Sequence, residues 1–492
     1  MRTPTALLLA WRALQSRPRR TVILLLGYGL GVAVMIALLA VGDALLLQAQ
    51  DRDVVSGGDL VLVPAGVDPE VLKVGAITGM FLSVPNARFL VRQVLMGPRY
   101  AETVAAVSPE VVDKLVYVRT ESGIHAARAS AALPSAADRT SSALAVRDPA
   151  WTDTTEDRDW LAPAPADVLV SIDRFHRPPR GPEGRTWAEW WYFNFTTPKG
   201  LYGYISFIAD RDRRAQVAVT LGRPGGRVVR REARYANAIL PFDGRAFRAG
   251  PHRVDLRPDG YHVRLDWAGF SGNVWIRPEP GLYFPPVEWQ AGAFRSGYVA
   301  PALRATVTGT LRLGSESVRV DGVGYHDHNW GIWQAVTWEW GVASTPRFTL
   351  LAGLIRHPAL PADELLVTLH AVAGGRAGLW GTLRAPAPVA SDWRAGPRVN
   401  GSSLRVPGRL RYRAANDAGD RLDVEIVTED VIATPIASMA AERGETTRLP
   451  AGREVFLQIR GRYAVTGTVG GRPVAFATQG FAETFVPGHS TR

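Results

Sequence analysis

The chain has 492 residues, a formal net charge of +11 and a pI near 10.1. Its 46% hydrophobic and 21% charged residues suit a folded protein of two or three domains, and zero cysteines exclude disulfides, thiol catalysis and Cys-ligated zinc. The positive charge sits on scattered arginines with no long basic run, which argues against nucleic acid and leaves an anionic membrane surface as the fitting partner.

At the N-terminus, Val22–Gly42 runs for 21 residues without a charge. That length spans about 30 Å of hydrocarbon as a helix. Arg12, Arg17, Arg19 and Arg20 precede it and no acid comes before Asp43. The positive-inside rule therefore predicts a cytoplasmic N-terminus (1–20), an uncleaved anchor (21–47) and an exterior remainder. A cleaved signal peptide has a shorter apolar core, of about 7–15 residues. The only later apolar stretch of comparable length, Ile77–Met96, is interrupted by Pro85, Arg88 and Arg92. The expected location is a bacterial cytoplasmic (inner) membrane, crossed once, with the C-terminal module outside the cytoplasm. Trp11–Val63, with its Arg-flanked first helix and then Gly57-Gly58-Asp59-Leu60-Val61-Leu62-Val63-Pro64, resembles the start of MacB/FtsX-type ABC-transporter permeases. The resemblance implies a permease-like exterior stub over 48–125 and ABC-transporter components as partners. The chain lacks the further helices of a complete permease.

Residues 126–167 are rich in Ala, Ser, Thr, Asp and Pro and read as a flexible linker. From Val168 the texture becomes short alternating runs: Tyr202–Ile208, Gln216–Leu221, Tyr261–Trp267, Leu303–Leu313, Leu422–Thr428 and Val455–Val465. Arg223-Pro-Gly-Gly226, Pro258-Asp-Gly260 and Gly470-Gly471 supply turns between them. Strands at this spacing predict a mainly β fold of antiparallel sandwiches or barrels. Some 320 residues are too many for one small barrel, so two domains are expected, 168–342 and 343–492.

Three segments concentrate chemistry. They are Trp187-Ala-Glu-Trp-Trp-Tyr-Phe-Asn-Phe195, Tyr283-Phe-Pro-Pro-Val-Glu-Trp289, and Gly324-Tyr-His-Asp-His-Asn-Trp-Gly331 leading to Trp338-Glu-Trp340. Ten of the 15 tryptophans fall between Trp187 and Trp340. A carboxylate among imidazoles, an amide and indoles is costly to bury without partners, and burial changes its pKa. The pattern points to a ligand cavity with one polar end.

Here the chain resembles the carotenoid 1,2-hydratase (hydroxyneurosporene synthase) family and its AttH-like relatives. Glu189-Trp-Trp-Tyr-Phe193, Tyr325-His-Asp-His-Asn-Trp-Gly331 and Gly480-Phe-Ala-Glu-Thr-Phe485 carry the resemblance, which covers about 168–486. It implies two lipocalin-like β-domains, agreeing with the strand reading. It also implies either an apolar-ligand binding module working beside a transporter, or a cofactor-free lyase or cyclase acting on an isoprenoid alkene.

In the second case Asp327 is the acid, with Tyr192, Tyr325 and Asn329 positioning water. A carboxylic acid kept neutral by apolar burial can protonate an alkene, and aromatic faces stabilise the resulting cation. Glu189, Trp190, Trp191, Tyr192, Glu288, Trp289, His326, His328, Trp330, Trp338, Glu339 and Trp340 are the expected ligand-binding residues. The bland alternative leaves the tryptophans as core and the carboxylates as partners of Arg and indole N–H groups.

His326-x-His328 raises a metal, since residues two apart on a strand share a face. No third ligand is evident, so neither metal nor other cofactor is expected. Tyr325, Asp327 and Asn329 should face away from the two histidines. The chain holds no Gly-x-Ser-x-Gly elbow, no phosphate-cradling loop and no dinucleotide fingerprint.

Overall fold

The computed structural model describes residues 83–136, 152–155, 157–158, 165–176, 178, 186–226, 228–239, 245–292, 294–332, 335–360, 364–399, 401–436 and 453–488, with isolated positions between 11 and 62. The expected membrane span at Val22–Gly42 lies largely outside the described residues. Among the described residues no helix is long and apolar enough to cross a membrane.

Two compact units divide the chain, one of residues 1–82 and 108–153, the other of 83–107 and 154–492. In the first, β1 (Glu110–Thr120) and β2 (Gly123–Ala132) form an antiparallel hairpin. Residues 123–132 were expected partly as linker. Their Ala and Ser content carries no core signal, yet the pairing with β1 satisfies their backbone.

The second unit is almost entirely antiparallel sheet. Its first sheet comprises β3 (Trp187–Thr196), β4 (Tyr202–Asp210), β5 (Ala215–Gly222), β6 (Val229–Tyr235), β7 (Ala238–Ile239), β8 (Ala246–Ala249), β9 (His252–Arg257), β10 (Gly260–Trp267), β11 (Phe270–Pro278), β12 (Phe284–Ala291), β13 (Phe294–Leu313) and β14 (Glu316–Ile332). The spatial order is β6-β5-β4-β3-β14-β13-β11-β10-β9-β8-β7, with β12 added beside β13. This is an up-and-down meander in which the first strand pairs with the last, so the sheet rolls until β6 and β7 stand at its two ends.

A second sheet follows, of β15 (Thr337–Ser344), β16 (Phe348–Arg356), β17 (Glu364–Ala373), β18 (Arg376–Pro386), β19 (Val389–Ser391), β22 (Arg409–Ala415), β23 (Arg421–Pro435), β24 (Val455–Val469) and β25 (Arg472–Val486). The intervening β20 (Arg394–Val399) and β21 (Ser402–Val406) pair only with each other. The order β18-β17-β16-β15-β25-β24-β23-β22 closes through β18–β22 at Arg384 and Ala415. An eight-stranded up-and-down barrel results, the architecture of lipocalins. The expected runs and all three turns fall on strands and connections of these sheets. The change of sheet comes between Ile332 and Thr337, earlier than the 342/343 boundary drawn from sequence, so Trp338–Trp340 stand on the second barrel.

Alternation explains the cores. Trp191, Phe193 and Phe195 of β3 pack inside the first barrel with Phe207, Val217, Phe247 and Tyr261. Leu350, Ala352, Val367, Leu369, Leu457 and Ile459 fill the second. Each fully buried side chain of this size contributes roughly 1.5–3 kcal/mol. The outward residues of the same strands form a third cluster between the barrels, including Tyr192, Tyr204, Phe284, Trp340, Leu351 and Phe481.

Residues 83–107, expected in the exterior stub, belong to the barrel unit. Helix α1 (Val84–Phe89) begins at Ser83, whose hydroxyl accepts the Asn86 N–H, and continues into a π-helical turn at Leu90–Leu95. Phe89 meets Tyr283 and Phe284 edge-on, and Gln93 donates to the Tyr283 carbonyl at 2.8 Å. Arg99 donates to the Trp380 carbonyl and faces Asp420. This segment therefore clasps both barrels. Helix α2 (Pro165–Ile172) inserts Leu169, and Phe175 follows, into the first core.

Candidate functional site

Strand β14 lies between β13 and β3, with Asp327 opposite Tyr192 and Asn329 opposite Trp190. Its alternation sends Tyr325, Asp327 and Asn329 to one face and His326 and His328 to the other, as expected. The first face looks onto the second barrel across a cavity of about 470 Å³. Trp190, Tyr192, Tyr298, Asp327 and Asn329 line it from the first barrel, and Trp338, Trp340, Gly353, Thr368, Gln458 and Glu483 from the second. Phe284, Val287, Leu351, Leu354 and Phe456 make the rest of the wall strongly apolar.

Among the described residues four carboxyls line this space: Glu288 and Glu339 are paired with arginines, and Asp327 and Glu483 take their hydrogen bonds from neutral groups. The Asp327 oxygens accept from Tyr325 Oη at 3.0 Å and Asn329 Nδ2 at 2.9 Å, while Tyr298 and Tyr325 share a 2.6 Å hydroxyl contact. Burial and the nearby Glu483 push Asp327 well above the ordinary carboxyl range, against the hydrogen bonds from Tyr325 and Asn329. Glu483 accepts from Trp338 Nε1 at 2.8 Å and Gln458 Nε2 at 3.2 Å. Burial lifts it to about 7 despite those bonds. The polar end of the cavity thus holds two carboxyls that both keep their protons to higher pH than free ones.

The reverse face of β14 carries a different network. His326 contacts the Tyr192 carbonyl through Nδ1 at 2.9 Å and Asp173 through Nε2 at 3.1 Å. His328 contacts Asp173 through Nδ1 and Glu189 through Nε2, both at 2.7 Å. Tyr261 donates to Asp173 at 2.7 Å. Burial opposes charge on both partners, but the two imidazoles hold Asp173 down at about 2, and the two carboxylates hold His328 up at about 9.

The expected site residues therefore divide. Asp327, Asn329, Trp190, Tyr192, Glu288, Trp289, Trp338, Glu339 and Trp340 meet at the cavity, and Tyr325 supports Asp327 from its edge. Glu339 is paired with Arg356 at 2.7 Å, and Glu288 receives Arg295 at 3.0 Å and the Trp330 indole at 3.2 Å. Glu189, Trp191, His326, His328 and Trp330 do not line it. The period of two turns them to the opposite side, where Trp191 joins the first core.

Sequence reading missed Glu483, Gln458, Tyr298 and Phe456. Glu483 lies within Gly480–Phe485, a motif already singled out, and its company of Phe481 and Phe485 was the available signal. The other three sit in ordinary strand texture: Tyr298 is brought in by the pairing of β13 with β14, and Gln458 and Phe456 by the docking of the barrels.

No family model matches the chain, and no curated protein matches it. Among solved structures, CghA with Sch210972 aligns at 15% identity over 65% of this chain and 96% of that one, with a TM-score of 0.45. CghA alone aligns at 14% identity over 62% and 90%, with a TM-score of 0.44. A porin-like protein from Bacteroides uniformis aligns at 6% identity and a TM-score of 0.13 over 61% and 96%.

Proposed function

We propose that the chain binds an apolar ligand bearing one polar group in the cavity between its barrels. The observation that supports this best is an aromatic and aliphatic chamber of about 470 Å³ whose polar end is the Asp327–Glu483 pair. Ligand pockets commonly have this composition: apolar walls and a few converging polar groups. Protonated, the two carboxyls donate to a carbonyl or hydroxyl oxygen of the ligand, and the indoles cover its hydrocarbon part. As part of the same proposal, Val22–Gly42 anchors the barrels at a membrane, where apolar molecules partition, and the protein serves an ABC transporter as an accessory.

The test is to purify the full chain in lipid nanodiscs, extract what it carries and identify it by mass spectrometry. A defined apolar molecule should accompany the wild type and be lost from Gly353→Phe, which fills the cavity. Equal recovery from both proteins overturns the reading.

A second reading is favoured by the place of Asp327 on the apolar cavity wall, where burial raises its carboxyl's hold on a proton. In a hydratase-like reaction its O–H bond breaks as a C–H bond forms on a trisubstituted alkene, leaving a tertiary cation faced by Trp190, Trp338 and Trp340. Water then adds to that carbon, and its surplus proton returns to the Asp327 carboxylate. Loss of a neighbouring C–H proton instead gives an isomer or ring. The chemistry needs no cofactor. Asp327→Asn should keep the ligand and abolish any product heavier by one water or isomeric with the substrate. Conversion that persists in this variant removes Asp327 as the acid.

A further inference from the structure

Behind the cavity wall, groups from three separate stretches converge: His176 after α2, Glu189 on β3 and His328 on β14. Their ligand-type atoms all lie within 4.8 Å of one another. His176 Nδ1 and His328 Nε2 stand 2.9 and 2.7 Å from the same oxygen, Glu189 Oε1. The His176 backbone N–H reaches that oxygen too, at 2.9 Å, and the second carboxylate oxygen at 3.1 Å. Three nitrogens thus crowd one oxygen, while the other takes only the longer branch of the backbone contact.

The remaining nitrogen of His328 is already engaged. Nδ1 lies 2.7 Å from Asp173, which Tyr261 and His326 hold in turn. With Nδ1 held by a carboxylate, Nε2 is the nitrogen that gives up its proton when a metal binds, the arrangement found behind metal-bound histidines.

We propose that His176 Nδ1, the Glu189 carboxylate and His328 Nε2 bind a divalent transition metal of the zinc class. Two imidazoles and one carboxylate are a recurring zinc donor set with the fourth position left to water. Thiolate-preferring ions have no donor here. His176 is 25% exposed while Glu189 and His328 are buried, so the fourth position opens on the His176 side. The metal replaces two N–H···O contacts with ligand bonds and ties β3 and β14 to the segment that carries Leu169 and Phe175 into the first core. It is a fastening site, separate from the cavity, because Asp327 points the other way. His326, the sequence-adjacent partner of His328, is not a ligand: both its nitrogens are taken up by Tyr192 and Asp173.

The full chain, purified without a polyhistidine tag and treated with a chelator, is titrated with Zn²⁺ by calorimetry. Bound metal is counted by elemental analysis. One equivalent should bind and raise the melting temperature. His176→Ala is the informative variant, since this side chain is the partly exposed member of the three. Loss of an outer partner commonly weakens metal sites 10–100-fold, so loss of this direct ligand should cost about 100-fold or more. Co²⁺ in place of zinc should give the visible absorption of a low-symmetry site in the wild type and none in the variant. A chain that takes up no zinc, or an unchanged affinity in His176→Ala, overturns the assignment.

Discussion

Asp327 and His328 are joined by one peptide bond and serve opposite sides of the same strand. Asp327 turns its carboxyl to the cavity between the barrels, and His328 bridges Asp173 and Glu189 at 2.7 Å each on the far side. The Tyr-His-Asp-His-Asn run is therefore two interleaved sites: an acid with its supports, and an imidazole pair with its counter-charges.

Gly353 of β16 lines the cavity, and a side chain built there meets nothing within 4 Å. Gly353→Phe should occupy the chamber with little change in melting temperature. Binding of an apolar probe such as all-trans-retinol, followed by fluorescence, should fall at least about tenfold, equivalent to about 1.4 kcal/mol.

Glu483 titrates where it can be watched, because the Trp338 indole donates to it at 2.8 Å. Tryptophan fluorescence should change with a midpoint near pH 7. Its stability effect has a definite sign. Between its ordinary 4.5 and about 7, the unfolded carboxyl has lost its proton and the folded one has kept it. Stability contributed by Glu483 should thus fall as pH rises through that window, by about 3 kcal/mol in all. Glu483→Gln should flatten both the fluorescence change and this slope in urea titrations.

Gly297 of β13 lies under the Trp330 ring, and a Cβ there would sit 1.9 Å from it. Trp330 cannot retreat freely, since its other face stacks on His176 at 3.7 Å. Gly297→Ala should destabilise the chain by about 1–3 kcal/mol, as overpacking does. Denaturant unfolding measures it.

Asp173 is wholly buried and holds His326, His328 and Tyr261. In zinc-free buffer, Asp173→Asn should cost about 3–5 kcal/mol, because it removes one of the two carboxylates on His328 and the buried acceptor shared with His326 and Tyr261. Faster proteolysis around α2 should accompany the loss, as that segment leads directly into Asp173.

Much of this was legible from local pattern. The period of two predicted both the barrels and the splitting of Tyr325–Asn329 from the histidines, since it depends only on neighbouring residues. What pattern could not supply was pairing at a distance. Asp173 and His176 sit in a stretch with no motif, yet they complete the histidine network from 150 residues away in sequence, a separation no spacing rule covers. Trp191 and Trp190 looked alike as tryptophans, although one packs a core and the other walls the cavity. The division followed once the inward face of β3 was known from its packing on Phe207 and Phe247. Residues 83–107 were placed in an exterior stub through the permease resemblance, but Phe89, Gln93 and Arg99 use the barrels as their surface.

Each barrel's interior is filled by its own apolar cluster, and the chamber is the gap left where their outer faces meet. Its dimensions are consequently set by docking rather than by either core. A lineage carrying this architecture could resize the chamber through changes at residues such as Leu351, Leu366 or Phe284, leaving the residues that fold each barrel untouched. Adaptation to a new ligand and preservation of the fold then draw on separate sets of positions.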